Sequence, residues 1–222
     1  RTQVGESIEI PLIIDGKEVT TGDIGRCILP HDYRTTLSTY HKGDSDTVNK
    51  AIEAAAKARP EWTSMPWETR AAIFLKAADL LAGKYRPILN AATMLNQSKT
   101  VIQAEIDAAC ELIDFWRFNP SYMQQIFEQQ PDSQHGIWNY VEYRPLEGFV
   151  LAVTPFNFTS IAGNLPTSPA MMGNTVVWKP ASTAVCSAYW LMRLLKEAGL
   201  PDGVINMVPG SGEKIGAPAM GH

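Results

Sequence analysis

The chain has 222 residues, of which 45% are apolar, and its 19 basic and 23 acidic residues give a formal net charge of −4. This small charge is spread along the chain, which argues against nucleic acid or an anionic membrane as the main partner. The apolar content is sufficient for a packed core, and no apolar stretch is long enough to span a bilayer.

The first predicted element is a β-hairpin over residues 10–19. Asp15-Gly16 lies between two short apolar segments, and this dipeptide favours the tight turn of a two-residue hairpin. The following segment, residues 22–44, is expected to be irregular.

Helices are predicted next. Ser45 is expected to cap the first one, which carries apolar residues on one face and which Pro60 should end. Pro66 opens a second helix that ends before Gly83, and a third covers about residues 87–95. Together they indicate a helical layer that precedes the rest of the domain.

A long helix is predicted to begin at Thr100, because Thr100 and Gln103 form a capping-box pattern. Its apolar stripe is expected to consist of Ile102, Ile106, Cys110 and Ile113. Asn119-Pro120 should bend or interrupt this helix before it resumes to about residue 127. Glu111 lies near the apolar side, where it could pair with a cationic group of a substrate, although a solvated carboxylate is the commoner case.

A linker and a separate strand follow. Residues 129–136 are polar and rich in turn formers. Residues 137–144 alternate in character, and large aromatic side chains fall on both faces of the predicted strand. This pattern is unusual for a strand with one face in water, so we expect another subunit to cover it.

Residues 149–180 are the most informative segment. They read as an apolar strand, a Pro-Phe-Asn turn, a helix of small residues and a second apolar strand ending at Lys179, which together make a parallel crossover unit. Ligands bind beyond the carboxyl ends of such strands. Thr154, Asn157 and Lys179 lie there, and we expect Asn157 and Lys179 to project into one shared crevice.

A helix over residues 183–198, a strand over 204–208 and a glycine-rich turn complete the pattern. Gly210, Gly212 and Gly216 follow a strand and open a helix, as in a dinucleotide-binding turn, but their spacing is one residue longer than the standard fingerprint. The order strand, helix, strand, helix, strand predicts a doubly wound α/β domain.

Each candidate residue also has an ordinary explanation. Asn157 could donate to a developing oxyanion, or its amide could bond to its own turn. Lys179 could bind ribose hydroxyls or a phosphate, or it could extend from the edge of the sheet into water. The glycine turn could bind a nucleotide or be an ordinary turn.

The cysteines and histidines show no metal-ligand spacing, and no metal site is predicted. The three cysteines are an odd number. Cys110 and Cys186 lie inside helical patterns and are expected to be buried free thiols, which fits a reducing intracellular compartment. The histidines are interpreted as surface residues: His31, His41, His135 and His222.

In combination these motifs are specific, and the whole chain resembles the N-terminal part of the aldehyde dehydrogenase superfamily. A Pro-Phe-Asn-Phe turn and a strand-terminal Lys-Pro are hallmarks of that superfamily. Within it, the chain is most similar to the branch of Δ1-pyrroline-5-carboxylate, or glutamate γ-semialdehyde, dehydrogenases. The segments that carry this narrower match are residues 71–79, 99–109, 112–118, 144–149 and 154–180.

The resemblance implies an activity and a cofactor. Enzymes of this branch oxidise glutamate γ-semialdehyde, a small-molecule aldehyde, to glutamate with NAD in the final step of proline breakdown. A cysteine thiolate attacks the aldehyde, hydride passes to the nicotinamide, and a glutamate base activates water to release the acid. The implied location is the bacterial cytoplasm or the mitochondrial matrix.

The resemblance also implies roles by position. Asn157 is similar to the amide that stabilises the oxyanion, and Lys179 to the lysine that contacts the adenosine ribose. Glu111 and Phe158 match positions that line the substrate pocket, where Glu111 would meet the substrate's amino group. The remaining positions that match the cofactor site are Thr154, Pro155, Phe156, Ser182, Gly212 and Gly216. Ser182 stands where many members have a ribose-binding glutamate, so the use of NADP is left open.

Three regions follow from the resemblance. Residues 1–135 are the hairpin and helical part of a Rossmann-like cofactor domain, 136–146 an oligomerisation arm that implies a homodimer or higher homo-oligomer, and 147–222 its βαβαβ part. The family's nucleophilic cysteine and general-base glutamate come later in its chain, in motifs absent here. We therefore expect an N-terminal part that binds cofactor weakly and catalyses nothing alone.

Two alternatives stay open. The substrate could be a different semialdehyde or aldehyde. The chain could instead be a non-catalytic binding or structural protein with an aldehyde dehydrogenase-like fold.

Overall fold

The computed structural model describes residues 8–222. Its strands are β1 (Ile8–Ile10), β2 (Leu12–Ile14), β3 (Lys17–Val19), β4 (Ile24–Leu29), β5 (Asp32–His41), β6 (Phe149–Val153), β7 (Thr175–Lys179) and β8 (Ile205–Met207). Its α-helices are α1 (Ser45–Ser64), α2 (Trp67–Ala82), α3 (Arg86–Gln97), α4 (Val101–Ala104), α5 (Leu112–Phe127), α6 (Thr159–Met171), α7 (Val185–Ala198) and α8 (Gly212–Met220). A π-helix, Glu105–Glu111, joins α4 to α5.

The larger sheet has the strand order β3-β2-β8-β7-β6. The last three strands run parallel, and the hairpin of β2 and β3 joins them antiparallel through Ile13 opposite Met207. Every residue of β7 is buried because helices cover both of its faces. The predicted doubly wound α/β arrangement and its helical layer are confirmed.

Alternation along β7 directs its side chains into two separate cores. Val176 and Trp178 belong to the larger core, which contains α6 and α7 and extends to α2, α3 and α5. Val177 belongs to the smaller core, which lies against α1 and α8. Within residues 8–222, no helix combines the length and the hydropathy needed to cross a membrane.

The N-terminal hairpin follows the sequence prediction. Ile14 pairs with Lys17 across a two-residue turn. Asp15 and Gly16 both adopt the left-handed conformation, with φ of 52° and 68°. This backbone geometry matches the twist of the flanking strands, which is why an Asp-Gly pair occupies it.

Residues 22–44 are not irregular, contrary to the prediction. β4 and β5 pair antiparallel, and β1 joins β5 in parallel to form a second, three-stranded sheet. The register shifts on either side of Ile28. These irregularities disturb the two-residue periodicity by which a strand is recognised in a sequence.

His41 is buried rather than on the surface, which corrects the interpretation of the histidines for this residue. Its Nδ1 accepts the Thr21 N–H at 2.9 Å, and its Nε2 lies 2.7 Å from Glu9 Oε1. Because Nδ1 is an acceptor, Nε2 carries the proton and donates to Glu9.

Two prolines lie inside helices that they were expected to end or interrupt. α1 continues past Pro60 to Ser64, and its N-cap is Asp44 rather than Ser45. α5 continues past Pro120. Buried tryptophans anchor both helices: Trp62 Nε1 donates to the Ala170 carbonyl and Trp116 Nε1 to Thr167 Oγ1, each at 2.9 Å. These tertiary contacts outweigh the loss of one backbone hydrogen bond at each proline.

The π-helix changes the register of the predicted apolar stripe. A π turn holds more residues than an α turn, so side chains before and after it no longer share one face. Ile113 is buried, whereas Ile102 and Ile106 are 73% and 52% exposed. Cys110, which was expected to be buried, is only half-buried.

The strand predicted over residues 137–144 is absent. An isolated bridge between Gln134 and Ile137 is the pairing found there within residues 8–222. Trp138 and Tyr140 are 79% and 62% exposed, and their rings stack on each other with centroids 5.2 Å apart. A strand needs a neighbouring strand, and the described part of this chain supplies none.

Gly16→Ala should destabilise the protein, whereas Gly22→Ala should not. An alanine at position 16 would need a positive φ, and its Cβ would overlap the Asp202 carboxylate, while a Cβ at position 22 meets no heavy atom within 4 Å. We expect Gly16→Ala to lower the free energy of unfolding by more than about 1 kcal/mol, measured by urea denaturation. Equal midpoints for the two variants would contradict this assignment of the turn.

Candidate functional site

The carboxyl ends of β6 and β7 lie side by side at one edge of the larger sheet. Val153 pairs with Lys179, and the Thr154 N–H donates to the Lys179 carbonyl at 3.1 Å. The crossover unit predicted over residues 149–180 is therefore present. The turn after β6 and the turn after β7 open at the same edge, where ligands of parallel sheets bind.

The side chains at this edge divide between the two faces of the sheet. Lys179 follows Val177 by two residues, so it points to the face of α1 and α8. Trp178 points to the opposite face, toward α6 and α7, and Asn157 belongs to the turn that leads into α6. That Asn157 and Lys179 project into one shared crevice stays a prediction, because alternation along a strand does not fix the direction of a turn residue.

The turn after β6 begins with a buried, hydrogen-bonded threonine and continues with exposed apolar side chains. The hydroxyl of Thr154 is buried and accepts the indole N–H of Trp178 at 2.9 Å. Pro155 is half-buried, and Phe156 and Phe158 are 63% and 39% exposed. Thr154 thus anchors the turn to β7, while the two phenylalanines present apolar surface beside the sheet edge.

Lys99 fixes the middle of this turn. Its ammonium donates to the Asn157 carbonyl at 2.6 Å and to Asp107 Oδ2 at 2.6 Å, and it lies 4.3 Å from the centroid of the Phe158 ring. The side chain of Asn157 is exposed at the end of this anchored segment. Its amide is available to donate to a ligand oxygen.

Asp107 binds the beginning of α6. It is buried, and besides Lys99 it accepts the backbone N–H groups of Thr159 at 3.0 Å and Ser160 at 2.9 Å and the Ser160 hydroxyl at 2.8 Å. The first N–H groups of a helix have no partner within the helix and carry a partial positive charge. The buried Asp107 carboxylate accepts hydrogen bonds from these N–H groups, and its negative charge offsets their partial positive charge.

Sequence reasoning missed Lys99 and Asp107 as parts of the site. One signal was present: Phe158 occupies the N-cap position of α6 and makes no capping hydrogen bond. A buried helix that begins without a capping side chain needs an acceptor from elsewhere in the fold. Asp107 supplies it from a segment otherwise rich in alanine.

Glu111 is joined to the same network. It lies four residues after Asp107 on the π-helix, and its Oε2 accepts the Ser160 hydroxyl at 2.8 Å. Ser160 thus lies between two carboxylates, Asp107 and Glu111, although its hydroxyl has one proton to donate. Lys99 and two backbone N–H groups already bind Asp107. The half-buried Glu111 has fewer such partners, so its carboxylate can accept a further hydrogen bond.

Lys179 carries a buried ammonium group. It is 7% exposed, and its Nζ makes a long contact of 3.4 Å to the Pro180 carbonyl. Within residues 8–222, no carboxylate lies at ion-pairing distance from it. Burial lowers the pKa of Lys179 below its ordinary value, because the charged form is poorly solvated.

The glycine turn after β8 leaves open space beside Lys179's face of the sheet. α8 begins at Gly212, and the hydroxyl of Ser211 caps it by accepting the Lys214 N–H at 3.2 Å. A Cβ at Gly212 would meet no heavy atom within 4 Å, and one at Gly216 would meet Met220 Cε at 3.8 Å. Neither has a positive φ. Packing therefore does not explain these two glycines, whereas a ligand close to the backbone would.

Ser182 connects the two turns on this face. It is half-buried, and its hydroxyl donates to the Gly210 carbonyl at 3.5 Å. The turn after β7 and the turn after β8 are thereby held next to each other.

Two of the three cysteines are poorly suited to nucleophilic attack. Cys27 and Cys186 are buried, and burial raises the pKa of both thiols, that of Cys186 to about 12. Cys110 lies on the π-helix with its Sγ 3.7 Å from the guanidinium of Arg86 and 3.9 Å from Glu105. In the part of the chain that the structure describes, no three His, Cys, Asp or Glu side chains group together to hold a metal ion.

Comparison with known proteins gives a consistent result. Residues 20–222 match the model of the aldehyde dehydrogenase family. The chain is 56% identical over 210 residues to a Delta-1-pyrroline-5-carboxylate dehydrogenase of Agaricus bisporus, a match that covers 94% of this chain and 38% of the relative. It is 49% identical over 212 residues to the mitochondrial Delta-1-pyrroline-5-carboxylate dehydrogenase of Homo sapiens, covering 96% of this chain and 38% of the relative.

A solved structure is similar over nearly the whole chain. The Delta-pyrroline-5-carboxylate dehydrogenase of Mycobacterium tuberculosis, bound with NAD and cobalamin, superposes with a TM-score of 0.97 at 52% identity. The match covers 99% of this chain and 41% of that one. The chain thus spans about two fifths of the length of the proteins that it matches.

Removal of the Asp107 carboxylate should destabilise the protein strongly. Asp107→Ala leaves the Lys99 ammonium and two backbone N–H groups without their acceptor, which should cost about 3–5 kcal/mol of unfolding free energy in urea denaturation. The matched control is Asp79→Ala, which breaks an ion pair with Arg117 whose two side chains are 76% and 49% exposed. A loss no larger than that of the control would show that Asp107 does not secure α6.

Replacement of Lys179 should stabilise the ligand-free protein at neutral pH. Because the pKa of Lys179 is lowered on folding, keeping it protonated opposes folding below the folded-state pKa, and this cost disappears as pH rises toward the ordinary value of 10.5. Lys179→Met should therefore raise the melting temperature at pH 7, with an advantage that shrinks toward pH 10.5. Lys214→Met, at an exposed position, should give no such gain. A less stable Lys179→Met protein at pH 7 would reveal a partner for the ammonium.

Proposed function

The chain belongs to the aldehyde dehydrogenase family, and we propose that the intact protein containing it oxidises L-glutamate γ-semialdehyde to L-glutamate with NAD. The semialdehyde arises from Δ1-pyrroline-5-carboxylate in proline degradation. The identities of 49% and 56% to proteins named for this reaction support the choice within the family. The observation on which the proposal depends is the position of Glu111, whose carboxylate is joined through Ser160 to the start of α6, directly after the turn that presents Asn157.

The residues at the sheet edge fit a nicotinamide dinucleotide. Within residues 8–222, Lys179 is a buried cation without a carboxylate partner, as expected for a group that binds ribose hydroxyls or a phosphate. Gly212 and Gly216 leave room for a ligand against the backbone of α8, and Thr154, Pro155 and Phe156 lead from the end of β6 toward Asn157. When bound, NAD supplies the hydride acceptor. Ser182 adds no negative charge on this side, so NADP is a possible second cofactor.

The part of Asn157 is to donate a hydrogen bond to the aldehyde oxygen as negative charge develops on it. A neutral amide held in place stabilises that charge without binding the uncharged aldehyde too tightly. Phe158 supplies an apolar wall next to it. Glu111 accepts from the ammonium of the substrate and so distinguishes an amino acid aldehyde from a simple one.

The nucleophilic thiolate is proposed to come from outside these 222 residues. Cys27 and Cys186 are buried with raised pKa values, which removes the thiolate that the reaction needs. We therefore expect the isolated chain to bind cofactor without oxidising aldehydes.

Residues 136–146 are proposed to form the oligomerisation arm, between a cofactor-domain part over 1–135 and another over 147–222. Ile137, Trp138, Tyr140 and Leu146 are each more than half exposed, which suits a segment that another subunit covers. A homodimer or a higher homo-oligomer is the expected assembly.

Steady-state kinetics of the intact protein test the substrate. We expect a higher kcat/KM for glutamate γ-semialdehyde than for succinate semialdehyde, which lacks the amino group. Glu111→Gln should raise the KM for glutamate γ-semialdehyde by about tenfold or more, because it removes a charge-assisted hydrogen bond, and should leave the KM for succinate semialdehyde unchanged. Glu53→Gln, on the exposed side of α1, is the matched control. A clear preference for succinate semialdehyde would overturn the proposed substrate.

A further inference from the structure

Lys99 and Asp107 form an ion pair that has no role in the reaction as proposed above. Lys99 lies between α3 and α4 in the helical layer, whereas Asn157 lies at the end of the sheet. The Lys99 ammonium joins the two regions through the Asn157 carbonyl and Asp107 Oδ2, each at 2.6 Å. Its side chain is 17% exposed and that of Asp107 is 3% exposed, so water competes little for the bond between them.

The Lys99–Asp107 ion pair restrains Asn157 and the residues that follow it. Lys99 holds the carbonyl of Asn157 itself, and Asp107 holds the N–H groups of Thr159 and Ser160, two and three residues later. Asn157 is exposed, so the direction of its amide depends on how well its own backbone is held. The structure thus connects a buried ion pair to the placement of one exposed side chain.

We propose that Lys99 is a positioning residue: its ammonium, held by Asp107, fixes the backbone of Asn157 and thereby aims the Asn157 amide at the reacting oxygen. This inference rests on the role of Asn157 in the proposed function. Lys99 acts through Asn157, because its ammonium already contacts the Asp107 carboxylate, the Asn157 carbonyl and the Phe158 ring. A displacement of a catalytic group by about 1 Å is enough to slow a reaction about a hundredfold.

A double-mutant cycle in the intact protein tests this role. Lys99→Met keeps the aliphatic stem and removes the donors. We expect it to lower kcat about 10- to 100-fold with the KM for NAD unchanged, and Asn157→Ala to lower kcat about 100- to 1,000-fold. The double variant should be no slower than Asn157→Ala, because Lys99 has nothing left to position. Lys99→Arg, which keeps the charge and the donors, should recover part of the loss.

Two further measurements separate positioning from general damage to the fold. NAD binding, followed by quenching of the protein fluorescence, should be the same for Lys99→Met and for the parent. Lys57→Met, which breaks the exposed ion pair with Asp15, should leave kcat unchanged. If Lys99→Met does not accumulate as folded protein, the same cycle is run with Lys99→Gln, whose shorter, uncharged side chain loses the ammonium contact to the Asn157 carbonyl.

The cycle is measured with glutamate γ-semialdehyde and with propanal, which separates this inference from the choice of substrate. Non-additive loss with propanal supports the role of Lys99 even if glutamate γ-semialdehyde is not the preferred substrate. Additive losses in kcat for Lys99 and Asn157 would overturn the positioning role while leaving the proposed reaction intact. An unchanged kcat in Asn157→Ala would overturn both Asn157's role and that of Lys99.

Discussion

The ion pair between Lys99 and Asp107 is the contact on which the rest of the site depends. α6 begins directly after the turn that carries Asn157, and the side chain at its N-cap position, that of Phe158, has no acceptor for the first N–H groups of the helix. Asp107 replaces the missing cap from the π-helix of a neighbouring layer. The Lys99 ammonium compensates the negative charge of the buried Asp107 carboxylate. It also binds the backbone of the turn through the Asn157 carbonyl. One interaction therefore satisfies a helix end, joins two layers and places a functional side chain.

Buried indole groups secure the remaining layers around the same helix and strand. Trp62 and Trp116 each donate to α6, from α1 and α5, and Trp178 of β7 donates to Thr154 after β6. A tryptophan buries a large apolar area and still needs an acceptor for its N–H, so its position is closely specified. With these anchors, α1 and α5 tolerate internal prolines, and the carboxyl ends of β6 and β7 remain in register.

The face of the sheet toward α1 and α8 carries residues that are locally unfavourable for stability. Among the described residues, the buried Lys179 finds no counter-charge, and Gly212 and Gly216 have no packing reason to lack a side chain. Residues that break such local rules tend to lie where a ligand binds, because the ligand provides what the protein omits. In the proposed function, a dinucleotide bound at this edge supplies the partner that Lys179 lacks within residues 8–222.

The sequence alone determined what depends on short-range patterns: the Asp15-Gly16 hairpin, the parallel crossover over residues 149–180, the capping box at Thr100 and the family to which the motifs point. Tertiary structure decided whatever depends on distant residues. It kept α1 and α5 intact across Pro60 and Pro120, paired residues 22–44 into a sheet and left residues 137–144 without a strand partner. It also brought Lys99 and Asp107 to the turn at Asn157, 58 and 50 residues further along the chain. Periodicity reports which face of an element is apolar, but not which buried acceptor will meet a particular donor, because that pairing exists only after the layers have packed.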